Sequence, residues 1–237
     1  MGKKVEVCFS PALYNLYDTN NSIVVVVDIL RATSVICTMF MNGVKEVIPV
    51  RDIDEAKRLK NEGYIVVAER DGKKLDFADF GNSPFFFTEK IVKNKLLVYS
   101  TTNGTNAITI GQNSKQIIIG SFLNFQAVVD YLIKQNENVL LLCAGWKDKF
   151  NIEDTIYCGA IAEKLLKNNS FDSICDSVQI SIELWKLAEN DILGFIEKAA
   201  QYNRLKKMGY DNVIPYCHTF NKTNIIPVFK NGKLLKL

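Results

Sequence analysis

Histidine and proline are scarce in this 237-residue chain: there is one histidine, His218, and there are five prolines. No Gly-x-Ser-x-Gly elbow accompanies His218, so the serine hydrolase arrangement is excluded. The six cysteines, Cys8, Cys37, Cys143, Cys158, Cys175 and Cys217, form no Cys-x-x-Cys pair, which removes the common zinc and dithiol motifs. Long hydrophobic runs are missing too. The longest β-branched run, Ile23 to Val27, is far too short to cross a bilayer, and the opening MGKKVEV has no apolar stretch of signal-peptide length. Nor is there an excess of one charge: 29 Lys and Arg against 26 Asp and Glu leave +3, too weak a balance to argue for nucleic acid, where a concentrated basic face is expected. The reading is a soluble protein of a reducing, cytoplasmic compartment, with neither nucleic acid nor membrane as partner.

The composition that remains is that of a folded domain. Apolar residues make up 48% and charged residues 23%, and a chain of this length buries most of its unfolded surface without staples. Short β-branched runs predict strands at Val5–Phe9, Ile23–Val27, Glu46–Val50, Ile65–Ala68, Leu96–Tyr99, Gln116–Ile119 and Val139–Cys143. Their apolar residues are consecutive rather than alternating, which points to a sheet covered on both faces. Between them the spacing predicts helices at Ser34–Asn42, Asp54–Asn61, Thr105–Ile110, Asn124–Gln135 and Thr155–Lys167. Beyond Asn168 the pattern turns helical, at Ser177–Ala188, Ile192–Ala199 and Gln201–Met208. Two late strands are expected near Val213–Tyr216 and Ile225–Phe229, with a turn at Gly232. The fold class is α/β: three layers, α/β/α, with a mixed, largely parallel sheet and a helix-rich C-terminal part. No linker divides residues 1–237, and the one place for a subdivision is near residue 168.

Three strands end in polar residues that open a helix, at Asp28, at Ser100, and at Glu153 with Asp154. Ligands in open α/β sheets sit beyond such strand ends, near helix N-termini, so convergence of the three on one site is expected. In Asp28-Ile29-Leu30-Arg31-Ala32-Thr33-Ser34 two opposite charges interrupt an apolar run. They read as a carboxylate for a metal and an arginine forking onto an anion, with Thr33 or Ser34 capping the helix. An Asp–Arg pair that does no more than cap is the other reading. Ser100-Thr101-Thr102-Asn103-Gly104-Thr105 packs four hydroxyls, an amide and a glycine into one junction and suits a phosphate, or alternatively a tight hydroxyl-rich cap. Its spacing is not that of a nucleotide P-loop. Glu69-Arg70 and Gly81-Asn82-Ser83-Pro84 add charge and polar turns, while Glu153 and Asp154 either bind metal or offset a helix dipole. No Cys-x5-Arg and no second acid two residues after Asp28 are present, so two familiar phosphatase chemistries are excluded.

In this order, Asp28–Ser34, Glu69-Arg70, Gly81–Pro84, Ser100–Thr105 and Ala144-Gly145 with Glu153-Asp154 resemble the motifs of the 2-phosphosulfolactate phosphatase family. Tyr216-Cys217 and Ile226-Pro227-Val228 are similar to its C-terminal end. The resemblance implies a magnesium-dependent hydrolase that takes phosphate from 2-phospho-3-sulfolactate and leaves 3-sulfolactate, in methanogens a step toward coenzyme M. It also implies an α/β/α fold and a small anionic substrate.

Chemistry then suggests roles. A substrate with phosphate, carboxylate and sulfonate needs positive charge from magnesium, Arg31 and Arg70. Asp28, Glu69 and Asp154 are the expected metal ligands, with Glu153 the alternative. Asp28, Arg31 and Glu69 are expected to serve catalysis. Arg31, Thr33, Ser34, Arg70, Asn82, Ser83, Thr101, Thr102, Asn103, Gly104 and Thr105 are expected to bind substrate oxygens. Direct attack by an activated water and an aspartyl-phosphate on Asp28 are both open. Two rivals share these residues: a phosphatase of another phosphorylated hydroxy acid, and a non-catalytic anion-binding protein. Trp185, Phe195 and Tyr202 read as core or as the surface of a homo-oligomer.

Overall fold

A computed structural model describes residues 2–237. In chain order the elements are β1 (Lys3–Cys8), β2 (Ser22–Val27), α1 (Ala32–Met41), β3 (Glu46–Pro49), α2 (Ile53–Asn61), β4 (Ile65–Arg70), β5 (Lys73–Lys74), α3 (Glu89–Val92), β6 (Leu96–Ser100), α4 (Gly104–Ile110) and β7 (Gln116–Gly120). There follow α5 (Phe125–Gln135), β8 (Asn138–Cys143), α6 (Ile152–Leu166), β9 (Phe171–Asp172), α7 (Asp176–Ala188), α8 (Ile192–Ile196), α9 (Ala200–Lys207), α10 (Val213–Cys217), β10 (Pro227–Lys230) and β11 (Lys233–Lys236). All belong to one α/β architecture with helices on both faces of a mixed, mostly parallel sheet. The strand order is β5-β4-β6-β3-β11-β10-β7-β2-β8-β1-β9.

β2 shows why consecutive apolar residues mean a central strand. All six of its residues are buried. Ile23, Val25 and Val27 face a core shared with α5 and α6, whereas Val24 and Val26 face the core around α1. A third cluster packs α2 on the outer face of β4 and β6 through Ala56, Leu59, Val66 and Val98. The dipole-matched sequence of α2 is used as expected: Asp52 caps it by accepting from Glu55 N at 2.8 Å.

The C-terminal hairpin β10–β11 is the splice between two parallel half-sheets. β10 runs antiparallel to β7 and β11 antiparallel to β3, so β3, β6 and β4 run opposite to β7, β2 and β8. In a flat sheet the ends of β2 and β6 would lie on opposite edges. They meet instead, because about 100–125° of twist accumulates between them and the sheet curls. α1 fills the curl. Ala32 to Phe40 are all buried, against residues of both half-sheets: Val24 and Ile119 on one side, Val67 and Tyr99 on the other. A helix buried on every side, its few hydroxyls bonded internally, is what such a position requires.

Two expectations for the C-terminal part change. Val213–Tyr216 is not a strand but lies in α10, with Val213, Ile214 and Cys217 buried. Pro215 explains it: the first turn of a helix tolerates a missing N–H, and the interior of a sheet does not. The second late strand begins at Pro227 rather than Ile225, and the turn at Gly232 joins it to β11. Trp185, Phe195 and Tyr202 pack, partly buried, against the α5–α6 core.

α6 and α7 touch backbone to backbone. A Cβ on Gly159 would lie 1.9 Å from Ser181 O, which no side-chain rotation relieves. Gly159→Ala is therefore expected to force the two helices apart at a cost of about 3 kcal/mol, read as a lower midpoint in urea denaturation.

Candidate active site

Backbone hydrogen bonds to side chains stitch four strand ends together. Ile29 N donates to Asp154 Oδ1 at 2.8 Å, joining the end of β2 to α6. Thr102 N donates to Glu69 Oε1 at 2.8 Å, joining β6 to β4. Lys147 N donates to Asn103 Oδ1 at 3.0 Å, joining the loop after β8 to the one after β6. The fourth contact is steric: a Cβ on Gly104 would sit 2.5 Å from Ala32 Cβ and 3.1 Å from Asp28 Oδ2, so only glycine lets α4 start against α1. The expected convergence of the ends carrying Asp28, Ser100 and Glu153-Asp154 is present, with β4 as a fourth member.

The result is a small polar cleft lined by Asp28, Leu30, Arg31, Glu69, Gly72, Asn82, Asn103, Trp146 and Gln201. Asp28 caps α1 through Oδ1, which accepts from Ala32 N at 3.1 Å. Arg31 is only 3% exposed. Its Nη2 donates to Gly72 O at 3.3 Å, its guanidinium lies 4.4 Å from the centre of the Tyr210 ring, and its buried Nη1 has no partner. Among the described residues no ion pair within 4 Å joins Asp28 to Arg31. The capping role is real, but the neutralising pair is not formed.

Thr33 and Ser34 do not cap α1 with their side chains and do not line the cleft. Both are fully buried. Thr33 Oγ1 accepts from Asp28 N, and Ser34 Oγ donates to Ile29 O and meets Ser121 Oγ at 3.0 Å. Thr101 and Thr105 likewise spend their hydroxyls on each other's backbone, and Thr102 Oγ1 accepts from Asp71 N. Of that run, Asn103 lines the cleft and Gly104 lies against Asp28. Asn82 also lines it, with Oδ1 held by the Tyr99 hydroxyl at 2.5 Å, while Ser83 is buried one residue beyond. Arg70 points elsewhere. Side chains alternate across a strand, so next to inward Glu69 it turns outward, donating to Ser100 Oγ and Arg51 O in a surface basin with Asp52 and Lys57.

The carboxylates divide into occupied and open. Glu69 accepts from Thr102 N and Gly72 N with its two oxygens, and Asp154 accepts from Ile29 N with one and from Gly145 N and Asn151 Nδ2 with the other. Among the described residues no three His, Cys, Asp or Glu side chains close on a point that could hold a metal. The expected shell of Asp28, Glu69 and Asp154 is thus not assembled, because two of its members brace backbone. Glu153, the alternative, keeps a buried Oε2 with no partner, and so does Asn151 with its Oδ1.

Burial raises the whole acidic group. Asp28 moves up to about 6, lifted by desolvation and by Glu69 against the pull of Ala32 N and Arg31. Glu153 moves up to about 7, again through desolvation first, with Asp28 adding to it. Asp154 is raised by desolvation, Asp28 and Glu153. An acidic cluster this far from water favours a cation or a proton.

Sequence reasoning missed the C-terminal wall. α9 supplies Gln201, whose Nε2 donates to Leu30 O at 2.9 Å, and Arg204, whose Nε donates to Gln201 Oε1 and whose guanidinium lies 3.6 Å from the Trp146 ring centre. A basic helix so late in the chain carries no motif. Its i, i+3 pairing becomes meaningful only once packing of Leu205 into the α5–α6 core sets Gln201 against Leu30, just beyond β2.

His218 lies outside the cleft. It stacks on Phe122 with ring centroids 5.5 Å apart, and Nδ1 is 2.8 Å from Ile214 O while Nε2 has no partner. Burial lowers its pKa from 6.5 to about 4. The folded protein holds this ring neutral where the unfolded chain protonates it, so stability is lost as pH falls from about 6.5 to 4. The loss is on the order of 3 kcal/mol. A His218→Phe variant is expected to show a correspondingly smaller drop in melting temperature over that range.

The family model for 2-phosphosulpholactate phosphatase matches residues 8–232. A probable 2-phosphosulfolactate phosphatase of Caldanaerobacter subterraneus is 38% identical over 229 residues, 91% of this chain and 95% of the relative. Proteins of the same name from Clostridium novyi and Clostridium acetobutylicum are 34% and 37% identical, over 98% and 91% of this chain and 100% and 92% of theirs. Among the described residues no helix is long and apolar enough to cross a membrane. Matched along nearly its whole length, with the motif residues gathered at one set of strand ends, the chain belongs to the 2-phosphosulfolactate phosphatase family of phosphoric monoester hydrolases.

Proposed function

We propose that this cleft hydrolyses 2-phospho-3-sulfolactate to 3-sulfolactate and phosphate. One observation carries the reading: Arg31, buried, presents an unpartnered Nη1 beside an equally buried Asp28 with which it forms no ion pair. Two opposite charges kept apart in a dry cleft are costly unless a ligand completes them.

Arg31 binds the equatorial phosphate oxygens, where negative charge gathers as the ester bond breaks. Glu69 is a positioning residue rather than a ligand. Its Oε2 holds Gly72 N at 2.6 Å, and Gly72 O in turn holds Arg31 Nη2. Asp28, raised to about 6, suits a base working near neutrality. It orients the attacking water and takes its proton. The water oxygen bonds to phosphorus as the P–O bond to the ester oxygen breaks on the far side, and the departing sulfolactate oxygen takes a proton from solvent to become the hydroxyl. Trp146 and Gln201 of α9 wall the cleft on one side, and Tyr210 covers the Arg31 guanidinium.

The donor set also fits magnesium, an ion that takes oxygen ligands, often only one or two carboxylates, and keeps several waters. Glu153 Oε2 and Asn151 Oδ1, both buried and without partners, would hold it. Bound there, the ion would offset the charge of the phosphate and of the surrounding carboxylates.

The test is phosphate release from 2-phospho-3-sulfolactate, with magnesium and with a chelator, beside 2-phospholactate and phosphoglycolate. Fast, chelator-sensitive release that favours the sulfonated ester is expected. Release from the sulfonate-free esters alone would overturn the substrate, and no release from any ester would overturn the reaction.

A further inference from the structure

Two guanidinium groups reach this site, and the reaction as derived uses one. The second belongs to Arg204, in a recess that adjoins the Arg31 cleft and shares Trp146 and Gln201 with it. We infer that Arg204, seated over the Trp146 ring, recognises the substrate's second tetrahedral anion, the sulfonate, and so sets the specificity of the enzyme. The inference rests on the phosphosulfolactate reading of the cleft.

The geometry is that of a prepared anion fork. Gln201 Oε1 accepts from Arg204 Nε at 2.8 Å, and the same Gln201 is anchored to Leu30 O, one residue before Arg31. The guanidinium carbon, Cζ, lies 3.6 Å from the Trp146 ring centre. Stacking and the Nε bond fix the plane while leaving the Nη edge for a ligand. Among the described residues no acceptor holds either Nη group, and no carboxylate pairs with Arg204 within 4 Å. Glu153, which with Asn151 would hold the metal, lines the same recess and is the carboxylate whose charge Arg204 feels most. Of the nearby lysines, Lys147 pairs with Asp71 at 2.7 Å and Lys198 lies 3.8 Å from the Phe195 ring centre, while Lys149 lines the same recess and adds a second cation to it.

Chemistry assigns the two anions. The phosphate must sit beside Asp28 and Arg31, where the bond is broken, so the rest of the substrate extends toward the Arg204 recess. A sulfonate is always ionised, spreads its charge over three oxygens and is a weak metal ligand. A weakly hydrated planar fork matches it better than a lysine or the metal does. Gln201 acts through Arg204 as a positioning residue.

The experiment measures kcat/KM for 2-phospho-3-sulfolactate and for 2-phospholactate in the wild type, Arg204→Lys and Arg204→Ala. Calorimetric binding of 3-sulfolactate and of lactate to the same proteins accompanies it. The wild type is expected to prefer the sulfonated ester. Arg204→Ala should reduce that preference about 30-fold, as loss of charge-assisted hydrogen bonds implies, and weaken 3-sulfolactate binding far more than lactate binding. Arg204→Lys, which keeps the charge and can be checked for folding by circular dichroism, should recover only part of it. Variants that lose both substrates equally, or keep the preference, would overturn the role of Arg204 and leave the substrate reading standing. A wild type without preference would overturn the substrate reading and this inference together.

Discussion

Asp28→Asn is expected to lower kcat/KM about a thousandfold while leaving the protein folded. Asparagine preserves the carbonyl oxygen that caps α1 by accepting from Ala32 N, so the β2–α1 junction keeps its geometry. What disappears is the capacity to take a proton, a contribution of roughly 10²–10⁴ in rate. Stability should move the other way. In the fold Asp28 is raised from 3.8 to about 6 by burial, so folding is favoured while it is protonated. That contribution is lost as pH rises from about 3.8 through about 6, and at neutral pH the ionised group disfavours the fold. Removing the charge should raise the melting temperature of the metal-free protein, a gain on the order of 1–3 kcal/mol. Loss of activity with gain of stability separates a catalytic carboxylate from a structural cap. A variant that retains near-normal turnover would show that chemistry runs elsewhere.

Arg31→Met should be damaging in both respects. Its guanidinium is the cation nearest Asp28 in the cleft, and it binds Gly72 O and stacks with Tyr210. Removing it strips the phosphate site of its fork, at about 10²–10³ in turnover. It also leaves the acidic cluster with less compensation, at about 3 kcal/mol or more. Arg31→Lys distinguishes the two effects, since it restores charge without the fork: stability should largely return and turnover should not. Arg70→Met is the control. Arg70 faces Ser100 and the Arg51 carbonyl on the far side of β4, so its loss should alter KM and kcat little. Equal catalytic losses for Arg31 and Arg70 would contradict this placement.

These contrasts mark how far the sequence could be read. The seven early strands were legible because consecutive β-branched residues have one physical meaning, a strand buried on both faces, as β2 shows. Asp28 and Arg31 were legible because charge inside an apolar run is expensive. The hydroxyls of Thr33, Ser34, Thr101 and Thr105 were misplaced because a hydroxyl that caps backbone and one that meets a ligand look alike in sequence. Arg70 was placed in the site because adjacent residues on a strand share a motif while pointing to opposite faces. Glu69 and Asp154 are in the right place, yet they are spent on N–H groups of their own turns and of the adjacent strand ends, pairings that residue types alone do not reveal. Arg204 and Gln201 were out of reach because their role follows from tertiary packing, the bond of Gln201 to Leu30 O and the seating of Leu205 in the α5–α6 core, which no local motif announces.

The most direct test of the account is a crystal structure of the protein grown with 3-sulfolactate and magnesium. The account predicts the product between Arg31 and Arg204, with its hydroxyl toward Asp28 and its sulfonate on the Arg204 edge above Trp146. Product found instead in the basin of Arg51, Lys57 and Arg70, with the Asp28 cleft empty, would contradict it.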